Sequence, residues 1–201
     1  MRKRFTIVAA LVALSSCGSH NAKNAPSARG PCVPLTSVAA ASAIAAERTD
    51  APLRASGHAF LPMTVEAAFR FGVDADALPI WMRGVRGATY DHAGSATPGR
   101  LGVGSGRSLN VGGAADREVV THYDPPTVIA YAILEGPPLT KHVAVMRFQP
   151  AEGGALFSWY QYFEPERVNF PRQAQRFVNG SLNELARRQG GHRVETCTDG
   201  Y

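Results

Sequence analysis

The sequence predicts an α+β fold, in which a curved antiparallel sheet of about seven strands wraps around a long C-terminal helix. Three observations lead to this prediction. Residues 170–188 carry apolar side chains at the three-and-four spacing of one helical face, so this helix needs a surface to cover. Six strand-like segments with short turns precede it, and short connections favour antiparallel pairing of consecutive strands. Two short helices are expected between the first strand and these six.

The chain begins with the pattern of an export signal. Three basic residues at positions 2–4 precede an apolar run over 5–14, which is too short to span a bilayer as a helix. The run ends in Leu-Ser-Ser-Cys, which resembles a bacterial lipobox, so residues 1–17 are predicted to be a lipoprotein signal peptide with lipidation at Cys17. Gly18 then indicates anchoring to the outer membrane of the cell envelope, facing the periplasm. An ordinary secretory signal, with Cys17 present by chance, is the alternative.

The charge balance of the mature chain is ordinary. The full chain carries a net charge of +5, and removing the three basic residues of the signal leaves +2. The remaining basic residues are scattered, with no run that could line up on phosphates. Nucleic-acid binding is therefore not expected.

Two further cysteines, Cys32 and Cys197, lie near the two ends of the mature chain. Because exported proteins seldom keep unpaired cysteines, a disulfide between them is predicted, and in the chain-entropy description so long a loop stabilises the fold by about 4–5 kcal/mol. Two free thiols are the alternative. The sequence has no CxxC motif and no His/Cys spacing typical of zinc, so no metal site and no cofactor are predicted.

Residues 18–50 are predicted to be a flexible tether between the anchor and the domain. Positions 18–34 are rich in Ser, Ala, Asn, Gly and Pro and lack periodicity. The alanine-rich stretch 36–48 favours a short helix within this tether. Residues 51–191 are close to the usual size of one domain and are predicted to form the folded unit, followed by a C-terminal tail over 192–201.

The domain is expected to start with a strand and two short helices. The strand over 53–60 ends at Pro62, Thr64 can cap a helix over 65–71, and the second helix covers 77–82. Six strands follow, separated by turns that contain Gly or Pro. Their predicted ranges are 85–92, 99–111, 117–123, 127–134, 142–148 and 156–163.

Local signals bound the long helix. Asn169 can cap its start, and Pro171 suits the first turn, where a missing N–H costs nothing. Arg187 and Arg188 lie in the last turn, where the helix dipole favours cations, and Gly190 is expected to end the helix.

The domain also carries short motifs in a defined order. They are Trp81, Gly-Val-Gly-Ser-Gly-Arg at 102–107, Arg-Glu-Val-Val at 117–120, Tyr-Asp-Pro-Pro at 123–126, Tyr131, Glu-Gly-Pro-Pro-Leu at 135–139, Gly-Gly at 153–154 and Trp159. Their order and spacing resemble the SRPBCC superfamily, the START-related helix-grip group that includes lipid-transfer domains and bacterial polyketide cyclase/dehydrase proteins. The resemblance covers about 53–188. It implies a helix-grip fold with a hydrophobic cavity between sheet and helix, and most members bind apolar or amphipathic small molecules while only some catalyse.

The strand pattern selects candidate pocket residues. Alternate residues of a strand share a face, and Phe157, Trp159 and Gln161 combine the aromatic wall and polar anchor that a pocket needs. Tyr160 and Tyr162 lie on the other face, so the inverted assignment stays open, and these aromatics can also pack simply as core. The ligand-binding candidates are Trp81, Tyr131, Ile133, Val145, Arg147, Phe157, Trp159, Gln161, Phe177 and Val178.

Three charged residues need partners if they are buried. A buried Arg147 would require a carboxylate from Glu118 or from a ligand, because an unpaired buried charge is costly, and an outward, solvated Arg147 is the alternative. Arg107 and Glu118 flank the turn at 112–113 and are expected to meet as a structural cross-strand pair.

Sequence motifs for a dinucleotide or phosphate loop, a nucleophile elbow or a zinc protease are absent, and no catalytic residue is assigned. The prediction is an envelope lipoprotein whose domain binds or shuttles an apolar or amphipathic small molecule. One alternative is a cyclase/dehydratase-type enzyme that acts on a polyketide-like or other hydrophobic carbonyl substrate through His122, Tyr131, Arg147 or Gln161. The other is an interaction module with a filled core. The sequence leaves the ligand and the oligomeric state open.

Overall fold

The computed structural model describes residues 31–197. In chain order its elements are α1 (Leu35–Ala46), β1 (Leu53–Leu61), α2 (Val65–Val73), α3 (Leu78–Trp81), β2 (Val85–Asp91), β3 (Gly106–Val111), β4 (Ala114–Asp124), β5 (Val128–Glu135), β6 (Leu139–Ala151), β7 (Gly154–Pro165), α4 (Phe170–Gln189) and β8 (His192–Val194).

These strands form a single antiparallel sheet in the order β2-β3-β4-β5-β6-β7-β1-β8. Strands β2 to β7 follow one another as a meander, because the connections from β3 to β7 are two or three residues long and too short for a crossover, and the longer segment 92–105 returns β3 beside β2. β1 returns to pair with β7, and β8 extends the sheet beyond β1. The predicted α+β fold is confirmed, with β8 as an additional strand in the segment predicted to be a tail.

Helix α4 covers the inner face of this sheet. Val178, Leu182 and Leu185 are buried in the main core cluster, as the spacing of its apolar residues requires. The helix lies very close to β1 at Gly57, where a Cβ atom would come within 2.8 Å of Leu182 Cδ1. Glycine at this position therefore lets the helix approach the strand.

The two ends of α4 differ in how they are stabilised. Gly190 adopts the left-handed conformation and ends the helix as predicted, and both Arg187 and Arg188 bond Glu184. The predicted side-chain cap at Asn169 does not form. Its amide oxygen instead accepts a hydrogen bond from Arg172 Nη2 at 3.0 Å.

One predicted strand is too long at its start. The segment before Gly106 forms a loop rather than strand, so β3 covers only the second half of the range 99–111. Gly104 has a φ of 90°, and a Cβ atom there would lie 2.1 Å from the carbonyl oxygen of Gly94. The chain folds back on itself at these two glycines, which an extended strand cannot do.

The N-terminal part of the described chain packs on the outer face of the sheet. Cys32 and Cys197 form the predicted disulfide, and Val33 pairs with Thr196 in a parallel bridge. Helix α1 follows and buries Ala41 and Ala45 against β5, β6 and β7. Residues 35–46 are thus a packed helix rather than free tether.

The predicted signal peptide, the lipidation site at Cys17 and the tether up to residue 30 lie outside the described residues. Within residues 31–197, none of the helices has the length and apolar character needed to cross a membrane.

Candidate functional site

A cavity of about 350 Å³ lies between α4 and the inner face of the sheet. Strands β3 to β7 supply its floor, and the first half of α4 supplies its roof. Its volume lies in the range typical of small-molecule sites. Its wall is mainly apolar and includes Leu109, Val111, Ile133, Leu139, Phe163 and Phe177.

The cavity has an exposed rim and a buried end. Ala114, Ala115, Gly136 and Gln173, at the turns β3–β4 and β5–β6 and on α4, are exposed to solvent. The lining residues further inside are buried, so a ligand would enter between the hairpin turns and the start of α4.

A buried ion pair lies in the wall of the inner end. Arg107 on β3 is opposite Glu118 on β4, and the Arg107 Nε–H donates to Glu118 Oε2. The two residues are only 1% and 4% exposed. The guanidinium carbon lies 3.8 Å from the ring centroid of Tyr131, an arrangement that adds a cation–π attraction.

The ion pair opposes the loss of charge that burial favours. Burial would lower the pKa of Arg107, but the adjacent Glu118 holds this pKa well above its ordinary value. Burial raises the pKa of Glu118, and Arg107 opposes that shift. Removing either partner would leave the other charge unpaired in a dry environment.

Several donors at this end lack a hydrogen-bond partner. They are both terminal nitrogens of Arg107, the Tyr131 hydroxyl and the Trp159 indole N–H. Burial raises the pKa of Tyr131, so its hydroxyl keeps its proton and can donate. Buried donors without partners each cost about 1–3 kcal/mol, and native proteins leave few of them. The inner end is therefore suited to an oxygen acceptor supplied by a ligand.

His142 also lines the cavity, but both its ring nitrogens are engaged. Nδ1 accepts from the Ile133 amide at 3.2 Å, so the proton resides on Nε2, which donates to Gln161 Oε1 at 2.7 Å. Burial lowers the pKa of His142 to about 4. His142 is consequently neutral at pH 7 and positions Gln161 rather than acting as a free base.

Asp116 is a second carboxylate in the cavity, two residues before Glu118 on the same face of β4. Its Oδ1 is buried without a partner beside the β5–β6 turn. Burial and the nearby Glu118 raise the pKa of Asp116 to about 7, although Arg107 opposes this. Asp116 can therefore gain or lose a proton near neutral pH.

The structure brings together part of the predicted pocket set. Five candidates line the cavity: Tyr131, Ile133, Trp159, Gln161 and Phe177. Three others, Trp81, Phe157 and Val178, are buried in the adjoining core without lining it.

The assignment of Val145 and Arg147 to the pocket is corrected. Both lie on the outer face of β6, where Val145 packs under α1 and Arg147 Nη1 donates to the Ser37 carbonyl at 3.0 Å. Arg147 is partly buried. It therefore matches neither of the two expected environments, which were pairing with a carboxylate in the pocket and full exposure to solvent. His122, a candidate for catalysis, does not line the cavity. Its Nδ1 lies 4.0 Å from Oε2 of Glu47, at the end of α1.

Sequence reasoning missed Arg107, Asp116, Glu118 and His142 as cavity residues. The cross-strand pair of Arg107 and Glu118 was expected, but as a structural feature only. The available signal was the alternation of Asp116 and Glu118 on one face of a strand opposite an arginine. Among residues 31–197 there is no group of three His, Cys, Asp or Glu side chains that could hold a metal ion.

Comparison with solved structures shows the same fold in several proteins. A protein from Nitrosospira multiformis is 16% identical with a TM-score of 0.56, over 69% of this chain and 96% of that one. A START superfamily protein from Mycobacterium smegmatis is 18% identical with a TM-score of 0.50, over 67% and 93%. StfQ, a di-domain ARO/CYC of the steffimycin biosynthetic pathway, is 17% identical with a TM-score of 0.52, over 78% and 56%.

The family assignment comes from the sequence of the domain itself. The comparison with curated proteins gave no match. Residues 53–190, which run from β1 to the end of α4, match the family described as polyketide cyclase/dehydrase and lipid transport. This match spans well over half of the chain, and the chain therefore belongs to that family.

Proposed function

We propose that this protein is an envelope lipoprotein that binds and shuttles an amphipathic small molecule in the cavity beneath α4. The observation that carries the proposal is the group of buried donors without partners at the inner end of an apolar cavity. The family, which includes lipid transport, and the START-like fold support the same conclusion.

The two ends of the cavity suit the two ends of an amphiphile. An apolar tail along Leu139, Phe163 and Phe177 would leave water at about 25 cal/mol per Å² of buried surface. A polar head beyond it would accept hydrogen bonds from Arg107 and Trp159, which otherwise remain unsatisfied. Tail burial would supply most of the affinity and the head would set the orientation.

The direct test is native mass spectrometry of the protein purified from its own host, followed by organic extraction. The expected result is a co-purified small molecule that is lost when Ala174→Phe fills the cavity from α4. Ala132→Phe, on the outer face of β5, serves as the matched control and should retain the ligand. Equal ligand loading of the wild type and the Ala174→Phe variant would contradict cavity binding.

The anchor belongs to the same proposal. The motif ending at Cys17 would hold the domain at a membrane, which is the natural source of an amphiphile. Cys17→Ala is expected to move the protein from the membrane to the soluble fraction and to abolish incorporation of labelled fatty acid. Unchanged fractionation of this variant would contradict the lipoprotein assignment.

One observation favours a second function, enzymatic proton transfer next to a carbonyl. Asp116 has a pKa of about 7 and lies in the same cavity as Arg107, so it could take an α-proton while the Arg107 guanidinium stabilises the enolate oxygen. The proton would then return to carbon. Deuterium incorporation into a long-chain methyl ketone, abolished in Asp116→Asn but not in the surface variant Asp50→Asn, would support this function; its absence in the wild type would contradict it.

A further inference from the structure

The charges that line the cavity nearly cancel. Arg107 contributes one positive charge and Glu118 one negative charge, and Asp116 adds a second negative charge when ionised. The other titratable groups that line the cavity, His142 and Tyr131, are neutral. The lining residues from β7 and α4 carry no charge.

Tyr90, on β2, is a further titratable group near the ion pair, and it interacts with both Arg107 and Glu118. Its hydroxyl donates to the Val73 carbonyl at 2.9 Å, and burial raises its pKa, so it is neutral as well. The net charge of the described residues that line the cavity is therefore zero when Asp116 is protonated and −1 when it is ionised.

This balance disfavours a ligand carboxylate. The charge of Arg107 is already compensated by Glu118, so an anionic head would place a further carboxylate beside Glu118 and Asp116 in a site with one cation. Like charges that share a buried site cannot all remain ionised without cost.

The hydrogen-bonding pattern favours an uncharged oxygen. Both terminal nitrogens of Arg107 and the indole nitrogen of Trp159 lack partners and can only donate. An uncharged oxygen accepts from them without adding charge. An ammonium would leave these nitrogens unsatisfied, but Asp116 Oδ1, which also lacks a partner, could accept from it, so the selection inferred is against carboxylates.

We propose that the cavity selects amphiphiles whose buried head is an uncharged oxygen function, such as an alcohol, ester or ketone, over carboxylates with the same tail. This inference rests on the proposed function and narrows its ligand class. Discrimination against the carboxylate is expected to increase above neutral pH, since Asp116, whose pKa is about 7, then also carries charge.

The test compares three probes with one alkyl chain: lauryl alcohol, methyl laurate and laurate. Each is titrated below its micellar concentration at pH 8 against the full mature protein, with intrinsic tryptophan fluorescence and calorimetry as readouts. The alcohol and the ester are expected to bind about tenfold or more tightly than laurate, as one charge interaction of about one pKa unit implies.

Two variants test whether the charge of Asp116 causes the discrimination against laurate. Asp116→Asn removes a carboxylate that has no hydrogen bond to Oδ1, and it is expected to raise the affinity for laurate several-fold relative to the affinity for lauryl alcohol. Asp50→Asn, an exposed Asp-to-Asn change remote from the cavity, is the matched control and should alter neither affinity.

Each outcome has a distinct meaning. If laurate binds as tightly as lauryl alcohol or more tightly, this inference is overturned and cavity binding stands. If none of the three probes binds the wild type more tightly than it binds the filled Ala174→Phe variant, the proposed function is overturned together with the inference.

Discussion

The arginines on the two faces of the sheet differ in how fully their hydrogen-bond donors are satisfied. On the outer face, Arg147 donates to a backbone carbonyl of α1, and the tyrosines beside it bond serines of the same helix. On the inner face, Arg107 is almost fully buried and bonds Glu118 only through Nε, so its two terminal nitrogens lack partners. The outer arginine completes the attachment of a helix, whereas the inner one keeps donors available. The inner face therefore retains polar groups without partners at a cost in stability, as the proposed ligand site requires.

The disulfide tests whether the outer layer can be weakened without altering the cavity. Replacing both Cys32 and Cys197 with alanine is expected to lower the free energy of unfolding by about 5 kcal/mol, since the closed loop is very long. The measurement is guanidinium chloride denaturation of the oxidised wild type and the double variant.

Ligand affinity provides the control for that experiment, because neither cysteine lines the cavity. The double variant should bind lauryl alcohol as the wild type does under conditions in which both are folded. A tenfold change in affinity would mean that the two faces are energetically coupled.

Matched substitutions of the two arginines compare the faces directly. Arg107→Leu is expected to destabilise by about 3–5 kcal/mol, because Glu118 then remains buried without a partner. Arg147→Leu loses one hydrogen bond to the Ser37 carbonyl and should cost about 1 kcal/mol. Urea denaturation of both variants measures the difference.

The double variant Arg107→Leu/Glu118→Leu separates the ion pair from its surroundings. It removes the orphaned charge and should recover most of the stability lost in Arg107→Leu. Stability losses of similar size in Arg107→Leu and Arg147→Leu would remove the basis for distinguishing the two faces.

Leucines on the two faces give a smaller contrast. Leu182 is fully buried between α4 and β1, so Leu182→Ala should cost about 3 kcal/mol through lost burial and the cavity it leaves. Leu134 is 63% exposed on the outer face of β5, and Leu134→Ala should change stability by less than about 0.5 kcal/mol. Thermal denaturation of the two variants provides the comparison, and a large effect at Leu134 would indicate a partner that covers this residue.

The pattern of the sequence was sufficient for the fold. The apolar spacing of α4 and the turn residues predicted the helix and the meander, and the alternation within β7 favoured the face that carries Trp159 and Gln161 but left the inverted assignment open. The Cys32–Cys197 disulfide followed from the cysteine count and the export signal. These features depend on local periodicity and on chain chemistry, which a single sequence contains.

The polar end of the site depended on information that periodicity does not carry. In β6 a register shift lies between Thr140 and Val143, and beyond it Ala144 and Met146 face inward while Val145 and Arg147 face α1. Alternation gives two faces but not which one is inner, and β6 has apolar residues on both. The lack of partners at Arg107 is a property of the packed structure, and the sequence could predict only that it would meet Glu118.

Asp116 on the inner face gives the smallest expected contrast. The destabilisation caused by its ionised carboxylate depends on pH. Its pKa in the folded protein is about 7, raised by burial and by Glu118, against an ordinary value of 3.8. Between these values the folded protein holds a proton that the unfolded chain has lost, so the contribution of Asp116 to stability falls as pH rises from about 4 to 7. Asp116→Asn cannot titrate and should match the wild type near pH 4, then exceed it by about 1–2 kcal/mol near pH 8, a figure reduced for the partial solvent access of the group. Urea denaturation across this pH range measures the difference in free energy of unfolding between the two proteins. The titration of the other groups contributes equally to both proteins and cancels in this difference. Asp50→Asn, whose carboxylate pairs with Lys141 at the surface and has a lowered pKa, should show no such gain with rising pH. A gain in Asp116→Asn that is the same at every pH would mean that the inner carboxylate stays ionised throughout, and that the cavity carries a permanent negative charge.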